Sequence, residues 1–192
     1  MGKTKHLTLV RAFLKKTPVA HISSLKRILA GKSSYIYLLL HTMVKRGELF
    51  RLTNGWYAVR DDPVLAVFCF KPAYLGLQEA LSIHGLWEQE TNTVILTTKT
   101  VREGRRLLFG TSLFLRKLPQ NIFFGVTYLP YGEYYVPVSD VEKTLIDMVY
   151  FAQPIDKLLL REFKKSIDKK KLRKYLQRVS PVLRKEVCVL FN

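Results

Sequence analysis

Apolar residues in the first 45 positions recur three or four residues apart, and this spacing predicts three helices that share one core. The inward positions, helix by helix, are Leu7, Val10, Phe13 and Leu14, then Ile22, Leu25, Ile28 and Leu29, then Ile36, Leu39, Leu40 and Met43. Ser23 or Ser24 is the predicted N-cap of the second helix, and Gly31 its predicted end. The third helix is predicted to run from about Ser33 to Lys45, before Gly47.

A short two-stranded pattern follows the third helix. Glu48–Leu52 and Trp56–Val59 have strand composition, and the Asn54-Gly55 pair between them is a strong hairpin signal. Three helices followed by a hairpin form the plan of a winged helix-turn-helix. Residues 1–62 are therefore predicted to be a winged helix-turn-helix domain.

After residue 62 the helical spacing gives way to shorter apolar runs. Val64–Phe70 is typical of a buried strand, and Tyr74–His84 of a helix. Further strands are predicted at Thr93–Thr98, Ser112–Leu118, Ile122–Leu129 and Glu133–Val138. Ser139-Asp140-Val141-Glu142 is a capping-box pattern ahead of another helix. Residues 63–152 are therefore predicted to be a mixed α+β domain with an antiparallel or mixed sheet.

From residue 153 onward, apolar residues again recur at helical spacing, now between lysines and arginines. The apolar positions are Leu158, Leu159, Phe163 and Ile167, then Leu172, Tyr175, Leu176 and Val179. Residues 153–192 are predicted to be a basic helical segment packed on the second domain. The whole chain is predicted to be α+β, with a winged helix-turn-helix in front.

The net charge of +17 is concentrated at the two ends. Lys and Arg outnumber Asp and Glu by 12 to 3 in residues 1–62, by 8 to 8 in residues 63–152, and by 12 to 4 in residues 153–192. Two basic blocks around a neutral middle favour a nucleic-acid partner, because each cation placed on a phosphate releases a counterion. An anionic membrane surface is an alternative, and the C-terminal block can equally be a solvated helix face.

Candidate DNA-binding residues cluster at the third helix and the hairpin. They are Lys26, Arg27, Lys32, Ser33, Ser34, Tyr35, Tyr37, His41, Arg51 and Asn54. In this motif the third helix enters the major groove, the second crosses the phosphates, and the hairpin tip reaches the neighbouring backbone or minor groove. Lys32 is predicted to hold a phosphate beside the helix N-terminus. Alternatively, Ser33 or Ser34 is only a cap, Tyr35 packs inward, and the domain binds protein.

The sequence contains no convincing catalytic or metal-binding constellation. Glu142 fits the third capping position of its helix, and Lys143 and Asp147 form an i, i+4 pair expected to contribute little. His84 fits a helix C-terminus. No glycine-rich phosphate loop, catalytic Ser/His/Asp order or metal-ligand spacing occurs, so no enzyme activity, cofactor or metal is expected. A nuclease with scattered carboxylates is a minority alternative.

The remaining features bear on the compartment. Cys69 and Cys188 lie far apart without a CxxC motif, which favours two buried thiols over a disulfide. No apolar run has the length of a membrane span, and no secretory signal is visible at the start. A cytoplasmic location without membrane insertion is expected.

Two longer stretches resemble one protein family. YLGLQEALSIHGLWEQETNTVILTT, Tyr74 to Thr98, has an alanine–leucine helix leading to HGL and a strand, and VPVSDVEKTLIDMVYF, Val136 to Phe151, has a second recurring pattern around EKTLID. Both follow a winged helix-turn-helix. In this order they resemble the AbiEi family over roughly residues 5–180.

The resemblance implies a function for each domain. In AbiEi-like proteins the N-terminal domain binds promoter DNA and represses its own operon. The C-terminal domain counteracts a cognate nucleotidyltransferase toxin in a type IV toxin–antitoxin pair. By position, the helix Ser33–Lys45 and the hairpin carry over as the DNA-binding elements, whereas EKTLID carries over as a family mark without an assigned role. Relatives that act simply as transcriptional regulators fit equally well, and the oligomeric state stays open.

Overall fold

The computed structural model describes residues 2–30, 33–89 and 91–191, with side chains from residue 6 onward. The chain divides into two compact units, Met1–Cys69 and Phe70–Asn192. Each unit contains helices and strands, so the chain is of the α+β class, as predicted. Residues 63–69 fall in the first unit, and residues 153–192 belong to the second.

The described residues of the first unit form three α-helices and a three-stranded antiparallel sheet. In chain order they are α1 (Gly2–Leu14), β1 (Val19–His21), α2 (Ile22–Leu29), α3 (Ser33–Lys45), β2 (Phe50–Thr53) and β3 (Trp56–Ala58). The sheet order is β1-β3-β2, and β2 and β3 form the hairpin, hereafter the wing. This is the arrangement of a winged helix-turn-helix.

The core of the first unit follows the predicted helical spacing. Val10, Leu25, Ile36 and Leu40 are completely buried, and the other inward positions are buried or half-buried. The predicted bounds of α3 are confirmed. The strand β1 was not predicted, because three residues are too few to show an alternating pattern.

The cap of α2 differs from the prediction. His21, not Ser23 or Ser24, is the N-cap, and its Nδ1 accepts a hydrogen bond from the Ser23 backbone N–H (3.3 Å). Pairing of β1 with β3 holds His21 in an extended conformation, so the helix begins at Ile22, two residues earlier than a Ser23 cap allows. The predicted terminator, Gly31, lies outside the described residues, and α2 ends at Ala30 in the left-handed region (φ 46°).

The described residues of the second unit form a six-stranded mixed sheet and five α-helices. The elements are β4 (Ala73–Leu75), α4 (Leu77–Ile83), β5 (Thr93–Thr97), β6 (Gly104–Leu108), β7 (Thr111–Lys117), β8 (Val126–Tyr131), β9 (Tyr134–Ser139), α5 (Val141–Tyr150), α6 (Lys157–Ser166), α7 (Lys169–Leu176) and α8 (Pro181–Val189). The strand order is β6-β7-β5-β4-β9-β8, with β4 parallel to β9 and β5 parallel to β7. Apolar residues from the sheet and from α4 to α8 share one core.

The structure differs from the prediction at Val64–Phe70, at Tyr74 and at Ile122–Leu129, and it adds the unpredicted strand β6. Val64–Phe70 belongs to a 3₁₀ helix, Pro63–Phe70, and is not a strand. The Asp62 carboxylate accepts from the Val64 N–H (3.0 Å), which begins a helical turn, and a short apolar run does not by itself distinguish strand from helix. Tyr74 lies in β4, paired with Leu96, so the predicted helix begins only at Leu77. Ile122–Leu129 is divided between a 3₁₀ turn, Gln120–Ile122, and β8.

The start of α5 also differs from the predicted capping box. Asp140 is the N-cap and accepts from the Lys143 backbone N–H (2.8 Å). Glu142 is therefore the second helical residue, not the third, and its carboxylate points to α7. There it accepts from the Asp168 N–H (2.8 Å) and pairs with Lys171 Nζ (2.9 Å).

Lys143 and Asp147 form an ion pair inside the second unit, and this corrects the prediction of a weak surface pair. Both side chains are fully buried, and the Tyr74 hydroxyl donates to the Asp147 carboxylate (2.8 Å). Burial lowers the pKa of Lys143 and raises the pKa of Asp147, so desolvation opposes the attraction between the charges. The pKa of the Tyr74 hydroxyl is raised by burial and by the Asp147 charge.

The helix α7 is fixed to the start of α5 by polar contacts. Lys171 Nζ lies 3.0 Å from an Asp140 oxygen, and the Tyr175 hydroxyl donates to the same carboxylate (2.8 Å). Desolvation and the Asp140 hydrogen bond raise the pKa of Tyr175 to about 12. Desolvation alone would lower the pKa of Lys171, but the two carboxylates outweigh it and raise that pKa.

Two further findings concern the cysteines and the membrane. Cys69 is buried and Cys188 is exposed, without a disulfide between them, so the expectation of two buried thiols is wrong for Cys188. In the part of the chain that the structure describes, no helix combines the length and the apolarity that crossing a bilayer requires.

Gly125 packs against the buried ion pair. Its φ is 66°, and an added Cβ would lie 2.7 Å from Lys143 Cβ and 3.0 Å from Tyr175 Cε2. We expect Gly125→Ala to lower the free energy of unfolding by about 2–4 kcal/mol, from overpacking and left-handed strain together. Urea denaturation followed by Trp87 fluorescence, in a Trp56→Phe background, measures this for the second unit.

Gly85→Ala is the matched control. Gly85 has almost the same φ, 69°, but nothing lies within 4 Å of an added Cβ. Only the conformational strain remains there, so we expect a loss of about 1 kcal/mol. Equal losses for the two variants would contradict the packing role of Gly125.

Candidate nucleic-acid interface

The helix α3 has one buried and one exposed face. Ile36, Leu39, Leu40 and Met43 face the core, whereas Ser34, Tyr37, Leu38 and His41 are exposed at the spacing i, i+3, i+4, i+7. Tyr37 is 53% exposed and Leu38 is 60% exposed. Tyr37 and Leu38 leave aromatic and apolar surface uncovered beside the polar Ser34 and His41, and such a face is suited to a partner.

A cation lies beside this exposed face. Lys26 Nζ, from α2, is 4.9 Å from the centroid of the Tyr37 ring, within range of a cation–π interaction. The contact orders the tyrosine and places a positive charge next to its hydroxyl-bearing ring. Arg27, the next residue on α2, is exposed.

The wing tip is anchored to the start of α2. Gly55 adopts φ 75°, and its carbonyl accepts from the Ile22 N–H (2.8 Å). A Cβ at Gly55 would lie 3.0 Å from His21 Nε2, and the His21 ring lies 4.9 Å from the Trp56 ring. A glycine is therefore required at this turn, and the tip has a fixed position relative to α2.

The wing and α3 border one shallow groove of about 330 Å³. Tyr37 contributes from α3, Arg51 and Asn54 from the wing, and His21 from the start of α2. The Arg51 guanidinium donates to Asn54 Oδ1 (3.1 Å), which orients both side chains. No carboxylate belongs to the groove lining that the described residues provide.

The structure brings some of the predicted residues together and separates others. Tyr37, Arg51 and Asn54 share the groove, with Lys26 adjacent, and Ser34 and His41 lie on the same face of α3. Ser33 is exposed. Lys32 lies outside the described residues.

Tyr35 does not belong to the exposed face. It is half-buried, packs on the core of the first unit, and its hydroxyl lies 3.2 Å from His6 Nδ1. The alternative considered from the sequence, that Tyr35 packs inward, describes its position. The helical period could have indicated this position from the sequence, because two residues along a helix correspond to about 200°. Tyr35 and Tyr37 therefore lie on different sides of α3.

His21 lines the groove but is not among the DNA-binding residues predicted from the sequence. It is the last residue of β1, it caps α2, and its ring contacts Trp56 of the wing. A histidine two residues before a serine gives no local signal for these roles, because they depend on the pairing of β1 with β3.

Two observations on the described residues concern metal binding and the buried ion pair of the second unit. Within this part of the chain, no group of three or more His, Cys, Asp or Glu residues is arranged to hold a metal ion. The Lys143–Asp147 pair is fully buried, so a substrate cannot reach it.

Comparisons with known proteins identify the fold. No family model matches the sequence, and no curated protein matches it. Among solved structures, the chain is similar to the crystal structure of the RV2827C protein from Mycobacterium tuberculosis, with a TM-score of 0.62 and 14% sequence identity. The match covers 97% of this chain and 76% of that chain, and at this identity it shows a shared fold and nothing more.

Proposed function

We propose that this protein is a transcriptional regulator that binds duplex DNA through α3 and the wing. The observation that carries the proposal is the open face of α3, which continues into a groove shared with the wing, and the described lining of this groove contains no carboxylate. An excess of cations in residues 1–62 supports a polyanionic partner.

Each element has a role in this proposal. The helix α3 enters the major groove, where Ser34, Tyr37 and His41 exchange hydrogen bonds with base edges and Leu38 contacts thymine methyl groups. Arg51, at the wing, contacts the neighbouring backbone or minor groove. Lys26 and Arg27 contact phosphates, which position the protein without reading sequence.

A narrower proposal concerns the biological setting. The stretches at residues 74–98 and 136–151 resemble AbiEi proteins, so we propose that the regulator represses its own operon as an antitoxin in the cytoplasm. Its second unit would then counteract a cognate nucleotidyltransferase toxin, without enzyme activity of its own. Co-expression with a nucleotidyltransferase encoded beside the gene tests this: rescue of growth supports it, and unchanged toxicity contradicts it.

A second candidate is an RNA- or protein-binding module that uses the C-terminal helices. The observation in its favour is the outer face of α7, where Lys170, Arg173 and Lys174 are exposed. Like charges at this spacing destabilise a helix, and an anionic partner would relieve the repulsion.

Selection from a pool of random DNA duplexes tests the main proposal. We expect one motif to be enriched and to bind about 10³-fold more tightly than shuffled duplexes of the same composition. The upstream region of the gene should contain this motif if the protein represses its own operon. Binding that ignores sequence would contradict the proposal.

The same assay distinguishes the second candidate. A variant with Lys170, Arg173 and Lys174 replaced by glutamine keeps the α3 face intact. If this variant loses all nucleic-acid affinity, the C-terminal module is supported and the winged-helix proposal fails. If motif binding survives, the main proposal stands.

A further inference from the structure

The second unit contains a depression that the proposed function does not use. It holds about 290 Å³ and lies where α4, the loop after it, β5, β7 and the turn after α5 meet. Its walls carry both apolar and polar side chains. The volume is close to the lower limit for small-molecule sites, which is about 300 Å³.

Arg116 gives the depression a positive charge. The side chain is half-buried, and no carboxylate among the described residues lies within ion-pair distance of it. Its guanidinium carbon is 5.3 Å from the centroid of the Phe151 ring. A partly desolvated guanidinium on an aromatic ring is suited to a bidentate oxyanion.

Two aromatic rings belong to the same walls. Trp87, from the loop after α4, and Phe114, from β7, are half-buried and line the depression. Together they offer apolar surface to a planar group, which aromatic side chains contact by stacking or by an edge.

Carboxamides supply directional hydrogen bonds. Gln78 Nε2 donates to Gln153 Oε1 (3.1 Å), and Gln153 Nε2 donates to the Phe151 carbonyl (2.9 Å). These bonds fix the two amides and leave Gln78 Oε1 as an acceptor. Asn92 adds an exposed carboxamide to the lining. Fixed amides of this kind recognise the edges of nucleobases.

The backbone is strained at two points of the rim. Leu77, a lining residue, has φ 56°, and Ala152, next to the lining residue Gln153, has φ 49°. Residues other than glycine are held in the left-handed region only where the surrounding structure enforces it, and such residues cluster at ligand-binding sites.

We propose that this depression binds a mononucleotide. The heteroaromatic base contacts Trp87 and Phe114, the phosphate pairs with Arg116, and the carboxamides bond to the base edge. The volume admits one nucleotide and not two. An aromatic carboxylate would contact the rings and Arg116 but would not use the Gln78 Oε1 acceptor or the Asn92 carboxamide.

Tryptophan fluorescence provides the test. The chain has two tryptophans, so Trp56→Phe leaves Trp87 as the reporter in the depression. Titration with each of the four common ribonucleoside 5′-monophosphates is expected to give a saturable change for at least one, with a dissociation constant below about 1 mM. The matching nucleoside, which lacks the phosphate, should bind at least about tenfold more weakly.

Two variants make the assignment specific. Arg116→Gln removes the charge, and Asn92→Asp places a carboxylate on an exposed position of the lining without disturbing the core. Each is expected to weaken nucleotide binding at least about tenfold, whereas Arg116→Lys keeps part of it. Thermal denaturation establishes whether each variant is folded. If Arg116→Gln does not fold, the nucleotide affinity of Asn92→Asp alone tests the proposal.

Three results would overturn the proposal. The first is the absence of a saturable change with any of the four nucleotides at about 10 mM. The second is unchanged affinity in the folded variants. The third is tighter binding of benzoate than of every nucleotide, which would assign the depression to aromatic carboxylates. None of these results bears on DNA binding by the first unit.

Discussion

Lys143→Met is expected to lower the free energy of unfolding of the second unit by about 3–5 kcal/mol. The variant leaves the Asp147 carboxylate fully buried with Tyr74 as its remaining hydrogen-bond donor, and a buried charge without its counter-ion is strongly destabilising. Urea denaturation followed by Trp87 fluorescence, in the Trp56→Phe background, measures the change. A loss below about 1 kcal/mol would show that Asp147 readily becomes neutral inside the fold.

Two further variants isolate the cause. Lys165 and Glu162 form an exposed i, i+3 pair, and Lys165→Met should change the free energy of unfolding by less than about 0.5 kcal/mol. The double variant Lys143→Met/Asp147→Leu removes both buried charges. Because desolvation opposes the pair, we expect the double variant to be more stable than Lys143→Met alone. A double variant less stable than the single one would contradict this explanation.

Tyr37→Ala combined with His41→Ala is expected to abolish most of the preference of the protein for its selected DNA motif. Both side chains are exposed on the same face of α3. The loss of each good base contact is expected to weaken discrimination between the motif and other sequences by about 1–3 kcal/mol. Competition mobility-shift assays with motif and shuffled duplexes measure the ratio. Binding to shuffled DNA should change less, because phosphate contacts remain.

Tyr35→Phe and Arg51→Gln are the controls. Tyr35 packs on the core, away from the exposed face, so removal of its hydroxyl should leave the motif preference unchanged. Arg51→Gln should weaken binding to all sequences and reduce the salt slope by about one. If Tyr35→Phe loses the preference while the double alanine variant keeps it, the assignment of the reading face is wrong.

Local spacing was sufficient to predict the three helices and the wing of the first unit. The inward stripe of α3, Ile36, Leu39, Leu40 and Met43, gave the core, and the Asn54-Gly55 pair gave the wing. These features depend on residues close in sequence. The strand β1 and the cap His21 were missed because their structure depends on pairing with β3, which lies more than thirty residues away.

The second unit was predicted less accurately for the same reason. Tyr74 has helix-like neighbours, but hydrogen bonds with β5 place it in a strand. Lys143 and Asp147 have the i, i+4 spacing of an ordinary surface ion pair, and the sequence therefore predicted one. The two side chains are buried because the sheet and α7 cover them, and i, i+4 spacing contains no information about that packing.

The candidate interface was also predictable only where it depends on residues close in sequence. The exposed positions on α3 could be derived from the helical period, which also places Tyr35 on another side of the helix. The groove could not be derived from the sequence, because it requires the wing tip to be held against His21 and Ile22. That contact is made by Gly55 through its left-handed conformation and its missing side chain.

The anchoring of α7 by Lys171 and Tyr175 makes the basic C-terminal segment an integral part of its domain. Truncation after residue 152 would remove Phe163, Leu172 and Val187 from the core, and the Asp140 and Glu142 carboxylates would lose Lys171. Such a shortened chain would lose its fold together with its charge. Since the inward residues of α7 maintain the architecture and the exposed Lys170, Arg173 and Lys174 do not, the surface charge of this helix can be changed without endangering the fold.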